Sequence, residues 1–532
     1  MDDSQSLKQE ISRFVPLMTA ADFCDRNGRD IEGKEAIVDS RRRLTWAQVK
    51  ELSDRLALGF MALGLERQGR VLVQLPNCAE LFLVRLACEK AGLRLITVSP
   101  SLRFAELSPI VQFTRPEAII IPYEHRGFNY YELFERIRVP ELKYVVVAGQ
   151  HVPSGSFSLE EILGAAPNRS EVSERLRRRR HTILDVCQIG TTSGSTGIPK
   201  CVEVPLYTRL LTGGIQSRRF GVNSSDTLAA VTSIVTGTAD AMVYNAGCQL
   251  GARIVLLDHF SLEETCSTLQ AERVTVIPLV PTMLVRMMAF ERLSRYKMAL
   301  RVIINHGASL PFHQGAEVET RLGSRIMQAY GTVDCGGISC TSWDDPEEVR
   351  WGTVGCPLDG NELRIVDCEG RPVCPGEVGH LQVRGLHTQA RFFNDPDRNA
   401  SRRREGYFDL QEFGRMDEKG NLALAGREQD LIIRGGQNIY PNDVESALLQ
   451  HPNISEACVI GIPDPEMGER VCAYVVCRGR QGIALSELTS FLESRGLAKF
   501  KWPERLEVVS SLPKVASGYK PDKKRLKRDF LS

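Results

Sequence analysis

Three short β-branched runs in the first quarter of the chain, "RVLVQL" (70–75), "LRLITV" (93–98) and "EAIIIP" (117–122), alternate with helix-like stretches. That order commits the chain to βαβ units, because two parallel strands can be joined only by a crossover long enough to return to the same end of the sheet. Just upstream, residues 45–64 set Val49, Leu52, Leu56, Leu58, Phe60 and Leu63 at roughly helical spacing and end on Gly64, a helix stop. Strand-like runs recur at 253–258, 274–280 and 301–307. The pattern predicts an α/β chain, and 532 residues are too many for one ordinary domain.

Two changes of texture divide the rest. Around 151–183 the periodicity weakens and ends on "RLRRRRH", which reads as a solvated linker face rather than an anion site. From 355 to 385 short alternating runs punctuated by Gly and Pro predict a β-rich subdomain with tight turns. After "GREQDLIIRGG" (426–436) a smaller unit follows: a helix near 441–450, strands at 456–463 and 470–477, a helix near 485–496 and a strand over 505–513.

Lys and Arg number 67 against 66 Asp and Glu, a net charge of +1, so no global field points to nucleic acid or a membrane surface. The N-terminal "MDDSQSLKQE" has neither a basic nor an apolar segment of a signal peptide. The longest apolar stretch, 274–285, is interrupted by two prolines and is too short to span a bilayer. A cytoplasmic protein without integral membrane association is expected. The fifteen cysteines are scattered without C-x-x-C pairing, so no metal-thiolate site is expected and most are read as buried reduced thiols.

"TTSGSTGIPK" (191–200) follows an apolar run, as a phosphate-cradling loop does. Glycines let backbone N–H groups approach phosphate oxygens, hydroxyls add donors, and Lys200 adds a positive charge. Ile198 and Pro199 separate Gly197 from Lys200, which departs from the Walker A pattern and excludes a P-loop kinase or ATPase. A polar turn is the alternative reading of this segment taken alone.

Six segments in order carry a wider likeness: 191–200, "HGA" (306–308), "QAYGTVD" (328–334), "GYFDLQEFG" (406–414), "GREQDLIIRGGQNIYPNDVE" (426–445) and "LPKVASGYKPDKK" (512–524). Together they resemble the adenylate-forming superfamily, of acyl-CoA and aryl-CoA synthetase type, over nearly the whole chain. The resemblance implies a large N-terminal AMP-binding domain at 1–428, with two βαβ-type sheet subdomains and a β-rich subdomain at about 350–425. A hinge at Gln429 and Asp430 and a small mobile α+β domain at 431–532 complete it.

By the same resemblance, Thr192, Ser193, Gly194, Ser195, Thr196, Gly197 and Lys200 bind the β- and γ-phosphates of ATP. Gly307 and Ala308, with Gln328, Ala329 and Tyr330, form the adenine pocket and a wall of the acyl pocket. Arg427 meets ribose and phosphate, and Gly435 and Gly436 lie where the acceptor thiol passes. The implied reaction is ATP- and Mg²⁺-dependent activation of a carboxylic acid, then transfer to the thiol of CoA. The implied alternatives are loading of a carrier protein in trans, or a poorly adenylating homologue that binds nucleotide. A homodimer is compatible with the family.

Four positions depart from the family pattern. Asp334 stands where the Mg²⁺-binding glutamate is usual, with Val333 before it, and Glu412 replaces the ribose-binding aspartate. In the C-terminal motif Tyr519 aligns with the catalytic lysine, and Lys520 follows it. On an extended strand one residue flips the side chain to the other face, so only a turn or bulge aims Lys520 at the site. Lys520 is the reading adopted, with Lys514 as runner-up and a solvated basic tail as the structural alternative. Lastly, Thr236 is the best match to a position where the family often has an aromatic residue or His lining the acyl and thiol pockets, and Thr236 and Thr238 beside Gly237 and Ala239 predict a roomy, partly polar acyl pocket suited to a bulky, cyclic or medium- to long-chain acid.

Overall fold

The structure is a computed structural model, which describes residues 3–137, 139–164, 169–192, 200–235, 237–308, 310, 312–389, 391–479, 482–515 and 520–531. Two large sheets hold the N-terminal part. In one, Lys200–Pro205, Val186–Thr192, Arg94–Thr97, Arg70–Val73, Ala118–Pro122 and Tyr144–Ala148 lie side by side in that order. The four pairs from Val186–Thr192 to Tyr144–Ala148 are parallel, as the βαβ spacing predicts. The other sheet runs Gly336–Cys340, Arg325–Thr332, Val302–His306, Val276–Leu279, Thr227–Ala230, Arg253–Leu256, Glu35–Val38 through its middle.

One apolar cluster joins the two sheets, taking Val71 and Leu95 from the first, Val302 and Ile304 from the second, and much of the helices between them. The helix Ala79–Ala91 is buried along its whole length, charges included. Glu80, Arg85, Glu89 and Lys90 are therefore enclosed and must be paired, because an isolated charge away from water is prohibitively costly. Lys90 donates to Asp25 at 2.8 Å, Asp54 at 2.6 Å and Ser53 Oγ at 2.9 Å. Arg85 donates to Asp240 at 2.8 Å.

The β-rich region forms an antiparallel sheet of Asn361–Val366, Gly379–Gly385, Tyr407–Met416, Arg403–Arg404 and Leu422–Arg427. Beyond it, Gln437–Ile439, Ile432–Arg434, Gly468–Cys477, Ile454–Asp464 and Arg505–Val508 make a separate sheet with its own apolar core around Val459, Val471 and Leu488. Phe413 of the first sheet meets Tyr440, beside the second, with ring centroids 5.1 Å apart.

The arginine run differs from its sequence reading. Arg177, Arg178 and Arg179 close a helix, Arg169–Arg179; Arg177 and Arg178 are exposed, but the following Arg180 is half-buried and its guanidinium donates to Asp22 and, at 2.8 Å, to Asp25. Arg179 donates to the Leu65 carbonyl at 2.7 Å. These partners lie more than 100 residues upstream, where a linear reading of charge cannot find them. All fifteen cysteines are free thiols and ten of them are buried. Among the described residues, no helix is long and apolar enough to cross a membrane.

Candidate active site

The candidate residues converge where the carboxyl ends of the central strands meet the β-rich sheet and the C-terminal segment. Lys200 opens the strand Lys200–Pro205, whose register places it opposite Thr192. Its ammonium donates to Asp334 Oδ2 at 3.2 Å, across from the turn that ends the strand Arg325–Thr332. Arg402 approaches the same carboxylate oxygen at 3.6 Å. Asp334 is thus an anion between two cations. Arg402 was not singled out in the sequence, although it belongs to the "RRR" of 402–404; nothing in a surface-like arginine run marks which member turns inward.

A second cluster forms around Glu412. Its strand neighbours Leu422–Arg427, and the register pairs Glu412 directly with Arg427, whose Nε lies 3.3 Å from the carboxylate. The buried Tyr330 hydroxyl donates to the other carboxylate oxygen. Burial, then the Glu412 carboxylate, hold the Tyr330 phenol well above its ordinary range. Gln411 beside Glu412 has φ 53°, in the left-handed region that favours glycine, where the family pattern T-G-D carries its Gly.

Lys520 reaches this cluster. Lys514 and Pro521 form an antiparallel bridge, and the Val515 N–H donates to the Lys520 carbonyl at 2.9 Å, so the chain reverses between them. Residues 516–519, Tyr519 among them, lie outside the described residues. A methyl group built on Gly307 would lie 3.9 Å from Lys520 Cε, so the lysine stem lies against the "HGA" segment. Burial pushes the Lys520 ammonium down to about 8, the Arg427 charge adds to that, and Glu412 opposes it. Lys514 turns elsewhere and pairs with Glu456.

Gly307 has φ 80°, which a side-chain-bearing residue adopts only under strain. Gln328 is buried, and its amide is engaged internally: Oε1 accepts from Asn305 at 2.7 Å and Nε2 donates to the Arg350 carbonyl at 2.9 Å. Its backbone is engaged as well, the N–H donating to Thr341 Oγ1 at 2.9 Å and the carbonyl accepting from the Thr341 N–H at 3.1 Å. Ala329 pairs with His306 across neighbouring parallel strands, and Ala308 follows Gly307 at the strand end. Gly435 and Gly436 both have positive φ, 54° and 80°, in the tight turn after Ile432–Arg434. Gln429 and Asp430 form a short 3-10 turn with Glu428.

Ser193, Gly194, Ser195, Thr196, Gly197 and Thr236 lie outside the described residues, as does the side chain of Thr192. Thr238 is partly buried in a short helical turn that continues into a π-helix, Asp240–Asn245, every residue of which is buried. Two cavities, of about 480 and 540 Å³, open at 389–403 and 262–292; neither is lined by Lys200, Asp334, Glu412 or Lys520.

The sequence profile of the family described as "AMP-binding enzyme" matches residues 24–391, and that of the "AMP-binding enzyme C-terminal domain" matches residues 443–519. The chain belongs to this adenylate-forming family of ligases. It is 31% identical over 94% of its length, and 91% of the relative's, to a 2-hydroxy-7-methoxy-5-methyl-1-naphthoate–CoA ligase of Streptomyces carzinostaticus. It is also 31% identical, over 92% of its length and 90% of the relative's, to a 2,3-dihydroxybenzoate-AMP ligase of Bacillus subtilis. Among solved structures it is similar to the amide bond synthetase McbA of Marinactinospora thermotolerans, with a TM-score of 0.84 and 26% identity, covering 96% of this chain and 99% of that one.

Proposed function

We propose that this protein activates a bulky, cyclic carboxylic acid with ATP and transfers it to the thiol of CoA. In the first step a carboxylate oxygen attacks the α-phosphorus of ATP, the bond to the β-phosphate oxygen breaks, and pyrophosphate leaves. In the second the thiolate sulfur attacks the acyl carbon, the bond to the phosphate oxygen breaks, and AMP leaves. Both steps concentrate negative charge, so prearranged cations are the expected source of acceleration.

The observation that carries this reading is that Lys520, whose stem lies against Gly307, feels the charges of the paired Glu412 and Arg427, which brings three distant segments of the chain together. In this reading Glu412 binds the ribose hydroxyls and Arg427 the ribose and phosphate. Lys520 meets the α-phosphate and the attacking carboxylate. Lys200 and the 192–197 loop hold the leaving pyrophosphate. Asp334 is a hard oxygen donor beside Lys200, which suits it to Mg²⁺, with phosphate oxygens and water completing the shell. Bound there, Mg²⁺ would neutralise charge on the phosphates. Rotation of the C-terminal domain about Gln429 and Asp430 would then exchange Lys520 for the Gly435–Gly436 turn beside the acyl group.

The aryl character of the acid is supported by the names of the two relatives at 31% identity, one a naphthoate–CoA ligase and the other a dihydroxybenzoate-AMP ligase. The direct test is a panel of aromatic, alicyclic and fatty acids offered with MgATP, with and without CoA, following AMP and thioester. AMP and acyl-CoA formed together from a cyclic acid support the proposal. ATP-dependent adenylate and pyrophosphate without thioester redirect the acceptor to a carrier protein or an amine, and no acid-dependent AMP or pyrophosphate from any acid overturns adenylation itself.

A further inference from the structure

His306 ends the strand Val302–His306, immediately before Gly307. Side chains alternate along a strand, so His306 shares a face with Val302 and Ile304. Both of these pack in the apolar cluster that includes Ile234, Val235, Ala239, Met242 and Val243, the segment to which the acyl pocket is assigned. The ring thus stands at the end of the strand on the face that packs into this cluster, close enough to Lys520 to feel its charge. It is partly buried, yet its Nε2 is out of contact with solvent and has no hydrogen-bond partner among the described residues.

An enclosed, unpaired ring nitrogen is uncommon, because it has given up its hydrogen bond to water without a replacement. Burial, with a smaller push from Lys520, holds the imidazole down to about 4, so the ring is neutral at ordinary pH. A neutral imidazole offers one donor and one acceptor. Lys520, whose charge acts on it, is a long flexible side chain that can withdraw from the ring on meeting a phosphate.

Building on the proposed acid activation, we infer that His306 is a specificity-determining residue whose Nε2 hydrogen-bonds a hydroxyl or amino substituent on the acid. The preferred substrates are therefore hydroxylated or aminated cyclic acids rather than plain hydrocarbon acids of the same shape. A site that hydrogen-bonds a substrate hydroxyl rejects the analogue lacking it far more strongly than an apolar pocket rejects an extra methylene, since the protein group is then left unpaired.

The test uses the full-length protein and matched acids: benzoate with its 2-, 3- and 4-hydroxy and 2-amino derivatives, and 1-naphthoate with 2-hydroxy-1-naphthoate. Acid-dependent pyrophosphate exchange is read as kcat/KM. The expected result is at least tenfold preference for one substituted member over its parent. His306→Ala should remove that preference by slowing the substituted acid while leaving the parent within about threefold, and His306→Gln, which keeps a donor and an acceptor, should restore part of it. Equal loss on both members of a pair, or a wild-type protein that prefers the unsubstituted acids, would overturn the inference while leaving acid activation intact. Exchange with none of the acids would remove both. Unchanged thermal midpoints of the two variants separate a lost contact from a lost fold.

Discussion

Lys90 and Lys520 are both drawn out of water, and the protein treats their charges in opposite ways. Lys90 is surrounded by Asp25, Asp54, Ser53 Oγ and the Lys50 carbonyl. Burial alone would push its ammonium down, but Asp54 and Asp25 outweigh it and hold the charge in place. Lys520 faces Arg427 as well as Glu412, and Glu412 is already engaged by Arg427 and the Tyr330 hydroxyl. Burial, and then the Arg427 charge, push it down to about 8, because Glu412 only partly compensates. Enclosure by itself therefore does not mark a functional lysine. A complete anionic shell makes a structural one, and an incomplete shell leaves a cation ready for an anion the protein does not supply.

The largest effect that would sharpen this contrast is on stability. Lys90→Met leaves Asp25 and Asp54 facing each other's field with one cation fewer, and should lower the unfolding free energy by about 3–5 kcal/mol in urea titration. Activity per folded molecule should change little. A loss below about 1 kcal/mol would mean that Arg180 and Lys50 suffice for these carboxylates.

A second effect concerns pH. Lys520 is cationic below about 8 and loses its charge above it, so acid-dependent kcat/KM for ATP should fall on the alkaline side through that value. Because its ordinary value is 10.5, the unfolded chain keeps a proton between about 8 and 10.5 that the folded chain has released. This one group therefore makes stability rise with pH across that window, while its destabilising cost is fully present below it. Arg427→Gln removes the like charge, so the activity limb should move to higher pH even as ATP binding weakens. A limb that stays in place would assign the titration to another group.

The smallest effect is expected at Lys514, whose ammonium pairs with Glu456 near the surface of the C-terminal domain. Lys514→Ala should cost about 1 kcal/mol or less and leave adenylation within about twofold.

The same contrast explains what was legible in the sequence. The β-branched runs and their spacing specify the parallel sheets, because strand and crossover are local patterns. The order of six segments specifies the family, and the Gly-like φ of Gln411 agrees with it despite the changed residue. The aim of Lys520 was not legible from the motif alone. It depends on a reversal closed by the Lys514–Pro521 bridge, and a linear alignment places Tyr519 there instead. Arg402 and the arginine run resisted for the same reason, since Asp334, Asp22 and Asp25 are remote in sequence from the arginines they meet. The helix Ala79–Ala91 inverts the usual amphipathic expectation: its charges face inward because their partners arrive from other segments.

Pyrophosphate exchange into ATP, measured side by side for Lys520→Ala, Lys514→Ala and the unaltered protein on an accepted acid, tests the central claim most directly. Lys520→Ala should lose about 10²–10³-fold in exchange, the scale seen when one preorganised transition-state donor is removed, while Lys514→Ala stays near the unaltered rate. Full exchange by Lys520→Ala, or a comparable loss in Lys514→Ala, would contradict it.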